Sequence, residues 1–308
     1  MLVYALFSLV PFLETAGAMM GPLAEALLPL LMFLVLFVTF CKVDFHKMRP
    51  VCWHVWVTIA HLIFVALIMA VLLLSAGTVS ARCKVLLESL LLCVIAPCAT
   101  AAAIVTQKLG GSLEQTTTFT FISNLIAALL VPACFPLIEK DAGVTFLQAF
   151  TAILYPVAAL MVLPMMLAYV VKHRLHRLHR FIINVRDLSF YLWAVSLMIV
   201  TGITVKNIVH AQASILLLSA IAILAMMVCV VQFAVGRYLG HFSDHAQEAG
   251  QALGQKNTSV AIWLASAYLN PLSSVGPGCY ILWQNIINSI EIWQQEYQAG
   301  KGGLDRTQ

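Results

Sequence analysis

Charge is scarce in this 308-residue chain, since Asp, Glu, Lys and Arg together make up 10% of the residues, against 62% that are hydrophobic. A soluble domain carries about 25% charged residues. A chain this apolar, with a mean hydropathy of +0.95, cannot present a water-compatible surface. We therefore predict an all-α integral membrane protein whose surroundings are the lipid bilayer.

Several chemistries are also missing. The eight cysteines form no CxxC pair, and most lie in apolar runs, where they act as small hydrophobes. We find no paired carboxylates, nucleophile–base set or metal cluster in the apolar segments, so the sequence predicts no enzyme, no metal site and no cofactor. The net charge of +4 does not indicate nucleic-acid binding, and an apolar N-terminus without a basic leader predicts no cleavable signal peptide.

The chain consists mainly of long apolar segments. A helix needs about 20 residues to cross a bilayer, and ten candidates are present. They are residues 1–16, 21–41, 51–76, 84–107, 112–138, 145–171, 183–205, 211–238, 244–268 and 273–295. The first is short and contains Glu14, so we interpret it as a truncated or interfacial helix.

The basic residues between these segments predict the orientation. Twelve of them fall in the even-numbered loops and the C-terminal segment, and four fall in the odd-numbered loops. We therefore predict a protein of the cell (inner) membrane with both termini in the cytoplasm. The stretch KHRLHRLHR, residues 172–180, is the central cytoplasmic loop, which we interpret as a topology anchor that touches anionic lipid. A regulatory or metal-binding role for its three histidines is the alternative.

The fourth span of each five-span half is interrupted. In the first half, Pro97 within APCATAAA (96–103) removes a backbone donor in mid-helix. In the second half, LGQKNTS (253–259) places Gly254 before a run of polar residues. Matched broken spans are typical of inverted-repeat transporters, and they predict a site near the midplane where the two breaks meet.

Polar residues near the breaks are the candidate substrate-binding or coupling residues. They are Gln255, Lys256, Asn257, Thr100, Thr116, Thr120 and His61. Each polar type also has a structural interpretation. A threonine in a membrane helix often bonds the carbonyl one turn back, Asn257 is a possible helix cap, and His61 is a possible bond between two helices.

Lys256 is the candidate whose presence is hardest to explain by packing. A charge at the bilayer centre costs at least about 2.5–3.5 kcal/mol. The residue lies about 12 positions, or roughly 18 Å, from either end of its span, too far for its side chain to reach water. We predict a functional role, with the hydroxyls of Thr116 and Thr120, the carbonyls freed at the breaks and the imidazole of His61 as acceptors.

Three stretches carry a resemblance to a known family: GQKN (254–257), PCATAAA (97–103) and GPGCYILWQN (276–285). In these the chain resembles the bile acid:sodium symporter family. The resemblance implies ten transmembrane helices in two inverted five-helix repeats, with broken helices 4 and 9 crossing. It also implies a panel domain (1–45 and 145–205), a core domain (50–138 and 211–297), and import of organic anions through a cleft between them.

The chain departs from the family pattern where that pattern binds sodium. The family's ninth span reads E-x-G-x-Q-N, and here Ala252 and Lys256 replace the glutamate and the glutamine. The Ser-Asn pair of its fourth span is Ala102-Ala103, and His61 replaces a glutamine of the third span, whereas Thr116 and Thr120 match the family's hydroxyl positions. The resemblance therefore implies that the sodium sites are lost and that Lys256 occupies the place of the ion.

Two functions follow as hypotheses. The first is a monomeric secondary transporter of a small organic anion (bile-acid-like or a small carboxylate) that works by alternating access without a sodium gradient. In it, Lys256 replaces the coupling cation or links transport to protons. The alternative is a transport-inactive membrane receptor or regulatory subunit on the same fold. Polar groups retained in the cleft without any uptake would favour this alternative.

Overall fold

The protein is described from a computed structural model, which covers residues 27, 30–138, 146–185, 187–209 and 213–304. Within these ranges the chain is helical, with no strand and only one isolated β-bridge, as predicted for an all-α protein. The α-helices are α1 (Leu30–Lys42), α2 (Cys52–Leu74), α3 (Ala81–Ile95), α4 (Ala102–Lys108), α5 (Leu113–Ile138), α6 (Phe146–Arg174), α7 (His176–Asn184), α8 (Leu188–Val209), α9 (Ile215–His241), α10 (Ala246–Gly254), α11 (Thr258–Tyr268) and α12 (Val275–Leu304). The first predicted span, 1–16, lies outside the described residues.

Three helices are continuous, long and apolar enough to cross a membrane among the residues described. They are α2, α5 and α9, whose mean hydropathies are 2.8, 2.2 and 2.7, and they correspond to the predicted spans 51–76, 112–138 and 211–238. Apolar side chains such as Val55, Ile59 and Leu62 on α2 are exposed. A surface of this kind is stable against lipid rather than water.

The chain divides into two compact units. The first consists of Met1–Asp44 and Phe146–Ser214, and the second of Phe45–Thr145 and Ile215–Gln308. The first unit therefore contains α1 and α6 to α8, and the second contains all the other helices. Both predicted helix breaks belong to the second unit.

Within the first unit, the basic stretch predicted as a loop is helical. Helix α6 extends to Arg174 and α7 begins at His176. The ring nitrogen Nε2 of His179 lies 3.0 Å from the Cys41 carbonyl oxygen, which fixes α7 against the end of α1. Ile182 is buried whereas Leu178 and Phe181 are exposed among basic residues. This pattern is typical of a helix that lies at the membrane surface.

In the second unit, a packed apolar core surrounds the two breaks. Trp53 and Val57 of α2 pack with Cys98, Phe119 and Leu253, all of them 0–1% exposed. The Trp53 indole Nε1 donates to Gln115 Oε1 at 3.0 Å, which joins the beginnings of α2 and α5. The core thus holds the breaks away from the lipid.

Candidate functional site

The first break follows from the chemistry of Pro97. Helix α3 ends at Ile95, and α4 begins only at Ala102, because proline has no N–H to continue the helix and its ring clashes with the preceding turn. Thr100 lies half-buried in the turn that leads into α4. The last carbonyls of α3 are therefore left without helical N–H partners.

The second break lies between Gly254, the last residue of α10, and Thr258, the first of α11. The side chain of Asn257 caps α11, since its Oδ1 accepts a bond from the Val260 N–H at 3.3 Å. Capping was one of the two interpretations that the sequence left open for this residue. The cap supplies an acceptor to one N–H at the beginning of α11.

The two breaks contact each other. Cys98 and Lys256 form an antiparallel bridge. On either side of it, the Ala99 N–H donates to the Gln255 carbonyl at 2.9 Å, and the Asn257 N–H donates to the Pro97 carbonyl at 2.8 Å. Each extended segment thereby satisfies peptide groups of the other, which is what allows non-helical backbone to exist inside a membrane protein.

The next long helix after each broken span, α5 in the first half and α12 in the second, supplies a side chain to the bridge. Ser123 of α5 accepts the Cys98 N–H at 2.8 Å. Gln284 of α12 accepts the Lys256 N–H at 2.9 Å and returns a bond from Nε2 to the Lys256 carbonyl at 3.4 Å. The backbone of Lys256 is thus held by a buried amide that the sequence did not single out.

Two buried carboxylates tie each broken helix to the opposite half of the chain. Glu88 of α3 accepts bonds from the Asn270 N–H at 3.3 Å and the Ser273 hydroxyl at 2.6 Å, just before α12. Glu248 of α10 accepts the Ser112 N–H at 2.8 Å, just before α5. Both carboxylates thus satisfy donors at the beginning of a helix, where negative charge is favourable.

We predict that Glu88→Leu and Glu248→Leu both lower the thermal stability, because each leaves partly or fully buried donors without an acceptor, at about 1–3 kcal/mol per group. Glu88→Leu should lower it more, since Glu88 accepts two such bonds and Glu248 accepts one. Glutamine retains a carbonyl acceptor, so Glu88→Gln and Glu248→Gln should be milder. The measurement is thermal unfolding in detergent, with exposed Glu296 replaced by glutamine as the control. Leucine variants as stable as the control would contradict the capping role.

The side chain of Lys256 is only 1% exposed. Its ammonium donates to the Val94 carbonyl at 3.1 Å, and Val94 lies in the last turn of α3. That turn carries the negative end of the helix dipole and the carbonyls freed by Pro97. Lys256 therefore occupies a position where unpaired oxygens attract a cation. The acceptor of the Lys256 ammonium is thus a backbone carbonyl freed at the first break, which is one of the three kinds of acceptor predicted from the sequence.

The other candidate residues do not all contact the Lys256 ammonium. Thr116 and Thr120 donate to the carbonyls of Ser112 and Thr116, 3.1 and 2.9 Å away and one turn back. The bond of the ammonium goes to the Val94 carbonyl and not to either hydroxyl. His61 is buried within electrostatic range of Lys256. No described residue bonds His61 Nε2 or the Gln255 Oε1 atom.

Buried alanines occupy three positions where the family pattern has oxygen ligands. Ala102, Ala103 and Ala252 are 0%, 2% and 1% exposed. None of them carries a side-chain oxygen. Sodium, as a hard cation, is bound through oxygen, so these three positions offer it only their backbone.

Two buried helix breaks in mutual contact, in an apolar chain that is helical through its described residues, are typical of membrane transport proteins. The chain belongs to the sodium bile acid symporter family, whose sequence model matches residues 29–211. It is thus an integral membrane protein of a transporter family. The matched range includes the first break but ends before the second.

A relative with a curated sequence agrees with this assignment. The uncharacterized sodium-dependent transporter YocS of Bacillus subtilis (strain 168) is 23% identical in an alignment of 224 residues that covers 67% of this chain and 64% of the relative. The chain therefore spans less than two thirds of the length of the relative that it matches.

Proposed function

We propose that this protein is a secondary transporter of a small organic anion, either bile-acid-like or a small carboxylate, that works by alternating access. Membership of the family supports the class of activity. Helix α11 begins at the second break with Asn257 as its cap, and the beginning of a half-helix attracts an anionic group. Thr100 and Asn257, one from each break, are the proposed contacts of the anion.

We propose further that Lys256 replaces the coupling cation or links transport to protons. The observation that carries this proposal is the 3.1 Å bond from its ammonium to the Val94 carbonyl at the end of α3. A fixed ammonium there neutralises the freed carbonyls as a bound metal ion would. The buried alanines 102, 103 and 252 support the absence of sodium coupling.

The inverted repeat is also part of the proposal. Each half of the chain contributes one break, one side chain to the bridge from the long helix after the broken span, and one carboxylate that bonds the opposite half. Such exchanged contacts are expected from two related five-helix units. We assign the second compact unit as the core domain and the first as the panel domain of a monomer in the cell membrane, with both termini cytoplasmic.

Sodium independence is the first test. Uptake of labelled anions into liposomes should be equally fast with an inward sodium gradient and with a matched potassium gradient, because the sodium ligands are missing. A several-fold advantage for sodium would contradict the proposal. The substrate class is found first by thermal-shift screening of organic anions. An anion that stabilises the protein without any flux would indicate the receptor alternative.

A further inference from the structure

Buried polar atoms without partners are concentrated in one part of the second unit. Eight such side-chain atoms have no hydrogen-bond partner among the described residues, and seven belong to α9, α10, α12 and the surroundings of Lys256. The seven are His61 Nε2, Gln232 Oε1, Arg237 Nε, Gln251 Oε1, Gln255 Oε1, Asn285 Nδ2 and Asn288 Nδ2. A buried polar atom without a partner is costly, so this concentration calls for a common cause.

The outer part of this region begins at an ion pair. Arg237 Nη2 lies 2.6 Å from Glu291 Oε1, and the side chain of Arg237 is 42% exposed, so the pair reaches the surface. Gln251 of α10 donates to Asn288 Oδ1 at 3.0 Å and to Glu291 Oε2 at 2.8 Å. On α12, Gln284, Asn288 and Glu291 are four and three positions apart and form one buried polar face.

The inner part continues to the ammonium. Gln255 lies one turn beyond Gln251 and is the C-cap residue of α10. The Tyr280 hydroxyl donates to the Gly254 carbonyl at 2.7 Å and accepts from Gln232 Nε2 at 3.0 Å. The same Gln232 Nε2 donates to the Cys93 carbonyl at 3.3 Å, the residue before the acceptor of Lys256. Gln251 and Gln255, one turn apart, therefore connect the polar group at Glu291 to the polar group beside Lys256.

The types of the unpaired atoms indicate what lies between them. Gln232, Gln251 and Gln255 offer acceptors, whereas Asn285 and Asn288 offer donors. A cation would satisfy only the acceptors, and an apolar group would satisfy neither. Water both donates and accepts, and buried water typically bonds two to four polar atoms at such places.

We propose that ordered water fills this region, and that the resulting passage conducts protons between the Arg237–Glu291 pair and Lys256. In this step the Glu291 carboxylate leaves Arg237, takes up a proton from the water at the surface and passes a proton into the water chain, which returns it to the carboxylate. The neutral Lys256 amine takes up a proton from the inner end of the chain and becomes the ammonium. The basic residues of the loops predict that the Arg237 end faces the cytoplasm. The proposal rests on the proposed proton link at Lys256.

Other titratable groups face both ends of the passage. Arg237 and Cys229 of α9 face Glu291. His61 of α2, Cys93 of α3 and Cys98 of the first break face Lys256. Tyr280 of α12 lies between the two ends, and Glu248 of α10 is already bonded to the Ser112 N–H.

The test uses substitutions that exclude water from the passage and leave the proposed anion contacts, Thr100 and Asn257, unchanged. Asn288→Leu should reduce uptake driven by a proton gradient by roughly an order of magnitude, because an apolar side chain interrupts the water chain. Asn288→Ser should retain most of the uptake, since it keeps a polar group and leaves space for water. Gln255→Met, which is nearly isosteric, is the second drying variant and covers the case in which Asn288→Leu does not fold. Anion binding, measured by thermal shift, should be unchanged in both Asn288 variants.

Direct observation of water separates this proposal from the proposed function. A density map of the wild type that resolves ordered water bonded to Gln251, Gln255 and Asn288 supports the passage, whereas a dry interface overturns it whatever the uptake. Unchanged proton-driven uptake in the folded drying variants overturns the proton route. If the wild type contains the ordered water but shows no proton-driven uptake, proton conduction and the proposed coupling at Lys256 are both overturned. The presence of water in the passage is then supported.

Discussion

Replacing Lys256 with glutamine is expected to abolish uptake driven by a proton gradient while the fold stays intact. Glutamine is neutral at every pH and cannot exchange a proton with the passage, so the coupling is lost. Its amide keeps an N–H donor directed toward the Val94 carbonyl, although one bond shorter than the ammonium that lies 3.1 Å from that oxygen, and it leaves no buried charge without a partner. Thermal unfolding should therefore change little, although the flux disappears.

Lys256→Arg distinguishes the two roles proposed for the ammonium. Arginine keeps the positive charge but is not deprotonated in proteins. If the ammonium only fills the place of a cation, this variant should retain much of the uptake. If it exchanges protons, the variant should be as inactive as Lys256→Gln. The measurement is anion uptake against pH for all three proteins, and identical profiles in all three would mean that Lys256 takes no part in coupling.

The second large effect is expected at Gly254. A Cβ atom added there would meet the ring of Phe233 on α9, because three ring atoms lie within its contact distance. Both residues belong to the tightly packed second unit, where Phe233 is 4% exposed. Overpacking of this kind costs about 1–3 kcal/mol. Gly254→Ala should therefore lower the unfolding temperature, and it should reduce uptake because the second break is displaced from the first.

A compensating substitution tests this explanation. Phe233→Leu removes ring atoms that the new methyl group would meet, so the double variant Gly254→Ala/Phe233→Leu should recover stability relative to Gly254→Ala alone. Phe233→Leu by itself is the control. If Gly254→Ala were as stable as the wild type, or if the double variant were the sum of two losses, the close packing would not be the reason for glycine.

The positions of the two breaks could be predicted because their causes are local. Proline lacks an N–H, and α3 ends at Ile95, two residues before Pro97. Gly254 followed by polar residues indicated the other break, and α10 ends at Gly254. The apolar runs likewise indicated α2, α5 and α9 to within a few residues. The roles predicted for the candidate site residues stay predictions.

The partners of the polar residues could not be predicted, because they come from distant parts of the chain. Lys256 is bonded by Val94 and by Gln284, 162 and 28 positions away, and no local pattern links them. The buried polar residues 284, 288 and 291 were missed even though their spacing of four and three marks one helical face. That spacing, in an apolar span, is the signal that could have been used.

The contact between the two breaks has a consequence for how the protein is made. The Pro97 and Gln255 carbonyls are satisfied only by N–H groups of the opposite segment, so a nascent first half enters the bilayer with peptide groups that have no permanent partner. Ribosomes add roughly 5–20 residues per second. The 162 positions between Val94 and Lys256 therefore correspond to roughly ten to thirty seconds of synthesis. Throughout that interval the first break lacks the backbone partners that the second break supplies in the folded protein.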